Sequence, residues 1–264
     1  IHLESIRNEF FGNISHEFKT PLNIILGIVQ LIDKNIELDN ITKENLIRHV
    51  DIMKQNSYRL LRLVNNLIDI SRIDIGYYNL QPSNYNIVKV IEDITLSIAE
   101  YVKHKKINLI FNTDVEEITL ACDPDKIERV MLNLLSNAIK FTDTGGRIDI
   151  NLYMENEQVC ISIKDTGIGI PKDKTEVIFE NFEQLDTTLS RGCEGTGMGL
   201  SVVKKLANLN NIKINVESEL NKGSEFIITL PNNIVSKNIK LQDKFAQDEK
   251  IDIEFSDIYL NLTS

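Results

Sequence analysis

The spacing of apolar residues changes period along the chain and divides it into two parts. Over residues 1–75 apolar positions recur at steps of three and four, with Gly12, Pro21 and Gly27 as the only glycines or prolines. That spacing predicts two long helices. In the second, Leu46, Val50, Met53, Ser57, Leu60, Val64, Leu67 and Ser71 form a heptad seam that includes two serines. The polar stretch 33–44 turns the first helix back onto the second. Two helices cannot bury so wide a seam alone, so a homodimer closing a four-helix bundle is expected.

From Gly76 to Asn84 the chain reads as a linker carrying Gly76, Pro82 and Ser83. The elements then alternate in type. A helix is expected over 87–102, strands over 107–111 and 118–122, and a strong helix over 125–141. Segments 148–154 and 158–164 predict a hairpin across Glu155, Asn156 and Glu157. A helix over 200–209 and strands over 212–217 and 224–230 complete the set. The fold class expected is therefore an all-α helical hairpin followed by an α+β sandwich with helices on one face of a mixed sheet. Residues 232–264 have no place in that sandwich. Their Ile251-Asp252-Ile253-Glu254-Phe255 run alternates like a strand, to pack on a sheet edge or stay mobile.

Composition narrows the function. The 264 residues are 42% hydrophobic and 26% charged, with a net charge of -10. That balance excludes nucleic acid or an anionic membrane as the main partner. Cys122, Cys160 and Cys193 lack metal-ligand spacing and suit reduced thiols of the cytosol. The sequence shows no transmembrane run and no signal peptide, so the chain is expected to be cytoplasmic as a fragment. It begins inside an amphipathic pattern without an initiator Met. Any membrane attachment is expected to come from an absent upstream region.

The first helix carries a histidine off its apolar stripe. At about 100° per residue from Ile14, residues Phe10, Phe11, Phe18, Pro21, Leu22, Ile25, Ile28, Val29 and Ile32 fall within roughly 80°. Ile24, Leu26 and Leu31 flank them. His16 lies at about 200°, beside Thr20, Asn23 and Gly27. A lone exposed histidine is most often a solvated side chain. Here Glu17 follows it and can take a proton from an imidazole that must be neutral to attack phosphorus. Pro21 offers no N–H to the Glu17 carbonyl, which predicts a bend beside the nucleophile. His2, His49 and His104 lack such surroundings.

Two glycine-containing segments lie further on: Asp165-Thr166-Gly167-Ile168-Gly169-Ile170 after a strand, and Gly195-Thr196-Gly197-Met198-Gly199-Leu200 before a helix. The second places bare N–H groups at a helix start, which suits phosphate. Neither is a P-loop or a dinucleotide fingerprint. Asn133 and Asn137 share a face of the 125–141 helix, with Lys140 near the next turn. Amide oxygens are hard ligands that suit Mg²⁺, and a lysine suits phosphate.

At these residues the chain resembles the sensor histidine kinases of two-component systems. Residues 11–22, FGNISHEFKTPL, resemble the family's H box, and 133–142, NLLSNAIKFT, its N box. Asp165 to Ile170 is similar to the G1 box, Phe179-Glu180-Asn181-Phe182 to the F box, and Gly195 to Leu200 to the G2 box. The resemblance covers residues 1–231. It implies a dimerisation and phosphoacceptor domain over 1–76, a linker over 77–84, a Bergerat-fold ATP-binding domain over 85–231, and a tail over 232–264 of no assigned role. It implies ATP and Mg²⁺ as cofactors and a response-regulator receiver domain as partner.

The resemblance also implies roles. His16 is the phosphorylated nucleophile, Glu17 its base, and Thr20 the water-orienting residue of a phosphatase activity toward the regulator. Asn137 holds Mg²⁺, with Asn133 and Lys140 close to metal or phosphates. Asp165 accepts the adenine amino group, with Gly167, Gly169 and Ile170 bordering the base. Gly195, Thr196, Gly197, Gly199 and Leu200 border the phosphates, and 183–194 form a lid over the nucleotide. Gln184 stands where many members have an arginine for the γ-phosphate, and Arg191 is the substitute expected here. Two other readings stay open: an ATPase of the same nucleotide-binding class, and a dimeric scaffold that binds ATP without transfer. The first normally needs a carboxylate where Asn133 stands.

Overall fold

The computed structural model describes residues 2–37, 41–180, 197–235 and 248–258, with side chains from residue 11 onward. Two antiparallel helices, α1 (His2–Glu37) and α2 (Lys43–Asp74), form the hairpin. Thr42 starts α2 as its N-cap, its hydroxyl accepting from the Asn45 N–H at 3.2 Å. The helix α1 runs unbroken through Pro21. Only part of the apolar stripe is covered within one chain. Ile14 and Pro21 are buried, whereas Phe11, Leu22, Leu26 and Val29 stay largely exposed, as do Val50 and Val64 of the α2 seam. An exposed apolar face of this extent is the surface a second copy covers in a four-helix bundle.

The second unit begins with β1 (Ser83–Asn86), inside the segment read as linker. There follow α3 (Ile87–Ser97), α4 (Ala99–His104), β2 (Asn108–Thr113), β3 (Thr119–Cys122) and α5 (Pro124–Phe141). The expected single helix over 87–102 is thus two, interrupted at Ile98. The hairpin β4 (Arg147–Glu155) and β5 (Gln158–Asp165) turns on Asn156 and Glu157, both at positive φ. That is the turn whose twist matches the strands it joins. The set ends with α6 (Gly199–Leu209), β6 (Lys213–Glu219) and β7 (Gly223–Leu230).

The strand order is β2-β4-β5-β7-β6, antiparallel except for β2 with β4. Burial alternates along β4, β6 and β7, so one face packs against helices. The core lies between that face and α3, α5 and α6, around Ile91, Met131, Leu135, Ile150, Ile161 and Val202. A separate ribbon pairs β1 with β3. Residues 231–235 return beside it, the Ala121 N–H donating to the Asn233 carbonyl at 2.7 Å.

The tail departs from expectation. Residues 251–255 are not a strand: Asp248–Glu254 form a helix, α7. Ile251 within it and Phe255 and Ile258 just beyond its end are buried, spaced by four and three, with Ile253 only half-buried. The alternation of isoleucines hid a helical stripe. The segment packs between α2 and α5.

Candidate active site

On α1 the side chains at 14 and 16 diverge as the helical period demands: Ile14 is buried and His16 exposed. Glu17 and Thr20 are half-buried. The Thr20 hydroxyl donates to the His16 carbonyl at 3.3 Å, which ties it to the turn that carries the histidine.

The second set of residues gathers at one end of α5. This helix starts with Pro124, whose missing N–H costs nothing at a helix start. Its C-terminal carbonyls are capped by Lys105, whose ammonium donates to Ile139, Lys140 and Thr142 at 2.7, 3.0 and 3.3 Å. Asn133 is fully buried. Its amide nitrogen donates to the Arg129 carbonyl at 3.0 Å, and its Oδ1 has no partner among the described residues. A buried amide oxygen without a donor costs about 1–3 kcal/mol and marks a place for a ligand, ion or water. Asn137 is half-buried. Lys140 is buried, with its ammonium 5.2 Å from the Phe141 ring centre.

A Cβ on Gly199 would lie 2.7 Å from Asn133 Oδ1. The glycine that opens α6 therefore faces Asn133 of α5, which brings the second glycine segment to the first of the two asparagines. Gly197 holds φ +63 just before it, and Leu200 is half-buried.

Asp165 ends β5 and is buried. Its Oδ1 accepts from the Gly167 N–H at 2.8 Å and from the Ser224 N–H at 3.3 Å. Burial raises its pKa above the ordinary aspartate value, against the lowering effect of these two donors. Gly167 leaves no room for a side chain, since a Cβ would lie 2.4 Å from the Phe141 carbonyl. Gly169 sits at φ +69, with its absent Cβ 2.0 Å from the Glu219 carbonyl. The Ile170 N–H donates to Ser218 Oγ at 2.7 Å, pinning the end of the loop.

Arg191, Gly195, Thr196, Gln184 and the lid lie outside the described residues, as does the second half of the F box. Its first residue, Phe179, packs edge-on against Phe226 at 6.4 Å. The structure brings Asn133 to Gly199, and Asp165 to Gly167. It leaves His16 exposed, on a helix whose chief partner is α2.

Sequence reasoning missed Arg62. Its guanidinium lies 3.8 Å from the position of a Gly199 Cβ, so α2 reaches the edge of the asparagine site. Arg59 and Arg62 are both buried charges off the heptad seam. Two arginines three residues apart on that side of α2 were the available signal.

Comparison with known proteins completes the assignment. Residues 6–76 match the family described as His Kinase A (phospho-acceptor) domain. Residues 122–234 match the family described as histidine kinase-, DNA gyrase B-, and HSP90-like ATPase. The chain is 35% identical over 238 residues to hybrid signal transduction histidine kinase D of Dictyostelium discoideum, covering 87% of this chain and 15% of that protein. It is 34% identical to the autoinducer 2 sensor kinase/phosphatase LuxQ of Vibrio vulnificus, covering 85% and 26%. The chain thus spans about a quarter or less of the length of these relatives. Among solved structures it resembles histidine kinase ThkA in complex with response regulator protein TrrA, with a TM-score of 0.66 and 25% identity, covering 88% of this chain and 64% of that one. No helix among the described residues is long and apolar enough to cross a membrane. The order of the two matched families, together with these relatives, shows that the chain belongs to the sensor histidine kinases of two-component systems.

Proposed function

We propose that this chain transfers the γ-phosphate of ATP to His16 and then to an aspartate of a response-regulator receiver domain. The observation that carries the reading is the pairing of an exposed His16 with a nucleotide cradle in which Asn133 faces Gly199 and Asp165 is held by Gly167. The helical unit (1–76) presents the acceptor as a homodimer. The linker that precedes β1 lets the ATP-binding unit approach it.

In the transfer, a ring nitrogen of His16, taken as Nε2, attacks the γ-phosphorus in line. The new N–P bond forms as the bond to the β,γ-bridging oxygen breaks, and ADP leaves with that electron pair. The proton on the other ring nitrogen passes to Glu17. Asp165 accepts the adenine amino group through its carboxylate, and Gly167, Gly169 and Ile170 shape the backbone around the base. Gly195, Thr196, Gly197, Gly199 and Leu200 border the phosphates, with Lys140 near them and Arg191 supplying the charge that Gln184 lacks.

Mg²⁺ fits the residues present. The unpartnered Asn133 Oδ1 and the half-buried Asn137 offer hard amide oxygens, and among the described residues no cage of His, Cys, Asp and Glu competes for an ion. Asn137 would hold the ion, with Asn133 beside it, and the ion would neutralise phosphate charge.

A relative named as a kinase/phosphatase and a neighbour solved with a response regulator support the partner and the hydrolysis of its phosphoaspartate. Thr20, one turn after His16, orients the water that removes phosphate from the regulator, so Thr20→Ala retains autophosphorylation and loses regulator dephosphorylation. The ATPase and scaffold readings are separated from the kinase by incubation with γ-labelled ATP. Acid-labile label on the protein supports the kinase, free phosphate alone the ATPase, and neither the scaffold.

A further inference from the structure

The C-terminal segment lies outside both matched families, yet it supplies much of the contact between the two units. Phe255 is almost fully buried, its ring centre 4.8 Å from that of Tyr101, and Ile251 and Ile258 join the same core as α5. Polar bonds fasten it on both sides. Toward the ATP-binding unit, Tyr101 donates to Asp252 at 2.7 Å, Lys250 to Glu128 at 2.7 Å, and Ser136 to the Glu254 carbonyl at 3.0 Å. Toward α2, Gln55 and Arg59 donate to the Ser256 carbonyl at 3.1 and 3.2 Å.

A buried charge cluster lies at the centre. Arg62 pairs with Asp257 at 2.7 Å and with Glu254 at 3.2 Å, and Arg59 with Asp257 at 3.5 Å. From α5, Arg129 pairs with Glu254 and, at 3.4 Å, with Asp69 of α2. Three guanidinium groups from two units thus meet three carboxylates, two of which belong to the tail. Of the three carboxylates described in this cluster only Asp69 lies outside the tail, so the tail supplies most of the negative charge that offsets the guanidinium groups. The tail thus adds to the direct contacts of α2 with this unit, among them the Arg129 guanidinium donating to Asn66 at 2.7 Å and the Lys205–Asp74 ion pair. In that arrangement the ATP-binding unit rests on α2 while His16 stays exposed.

We propose that residues 248–258 are an intramolecular latch that parks the ATP-binding unit on α2 and restrains phosphoryl transfer to His16. The proposal rests on the kinase reading above. Transfer requires the unit to leave this position for the face of α1 that carries His16, and each latch contact must break first. Release of Glu254 and Asp257 shifts the population toward the undocked arrangement. It also uncovers Arg62 beside Asn133 and Gly199.

The test compares the chain with its E254Q/D257N variant, which keeps side-chain shape and removes the two tail carboxylates of the buried cluster. Amide hydrogen exchange over residues 248–258 reads the latch, and the initial rate of label uptake at His16 from γ-labelled ATP reads its effect. Protection of the tail amides is expected to fall, and the labelling rate to rise at least about threefold. A second variant, Y101F, removes one hydrogen bond at the rim and is expected to move both readouts in the same direction by less. Its cooperative unfolding checks that the fold is intact. Released tail amides with an unchanged or slower labelling rate overturn the latch, as do tail amides that stay protected in E254Q/D257N. Absence of label from every chain overturns the kinase reading, and the latch with it.

Discussion

Asn133 Oδ1 and Gly199 face each other so closely that a Cβ on the glycine would lie 2.7 Å from the amide oxygen. Asn133 cannot easily yield, because it is fully buried and its amide nitrogen is bonded to the Arg129 carbonyl. Gly199→Ala is therefore expected to push the asparagine out of place and weaken Mg-ATP binding by roughly tenfold or more, equal to about 1.4 kcal/mol. Calorimetric titration with a non-hydrolysable ATP analogue checks this, with the melting temperature as control for folding.

Asp165 is a carboxylate that the fold would rather keep neutral. Its folded pKa is raised by burial, so the folded state binds its proton more readily than the unfolded state. Stability then falls as pH rises from the ordinary aspartate value through the raised one, and above that window the ionised group is a net cost. Asp165→Asn is expected to leave thermal stability unchanged or higher at neutral pH while abolishing adenine-nucleotide binding. In the native chain, nucleotide affinity is expected to decline at a pH above the ordinary aspartate range, as the acceptor becomes protonated. Nucleotide binding and thermal unfolding, both measured between pH 4 and pH 8, test these statements.

Gly169 has two independent reasons to be glycine. Its φ of +69 costs another residue about 1–2 kcal/mol, and a Cβ would press on the Glu219 carbonyl at 2.0 Å. Gly169→Ala is expected to destabilise the ATP-binding unit by at least about 2 kcal/mol, against about 1 kcal/mol for an ordinary substitution. Denaturant unfolding of both chains measures the difference.

Leu22, Leu26 and Val29 of α1 and Val50 and Val64 of α2 are exposed apolar side chains on helices with heptad spacing. A dimer is expected in sedimentation equilibrium. Val50→Glu with Val64→Glu sets like charges into the seam and is expected to weaken association at least tenfold, about 1.4 kcal/mol.

The helices and strands were legible because their apolar periods differ and because turn residues such as Asn156 and Gly76 separate them. His16 was legible for the same reason: two residues from buried Ile14, it had to face outward. The interruption at Ile98 was not legible, since the apolar spacing carries on through it. Nor was the tail, where Ile253 completes a false alternation and the helical set Ile251, Phe255 and Ile258 needs α2 and α5 to be recognised. Arg62, Arg129 and Glu254 form one cluster from three distant segments, and neither local spacing nor composition records such a meeting.

The most direct test of the whole account is incubation of the chain with γ-labelled ATP and Mg²⁺, beside its His16→Ala variant. Acid-labile, base-stable label is expected on the native chain and none on the variant, with both binding the nucleotide equally. Label that persists in His16→Ala, or label absent from the native chain while nucleotide is bound, would contradict it.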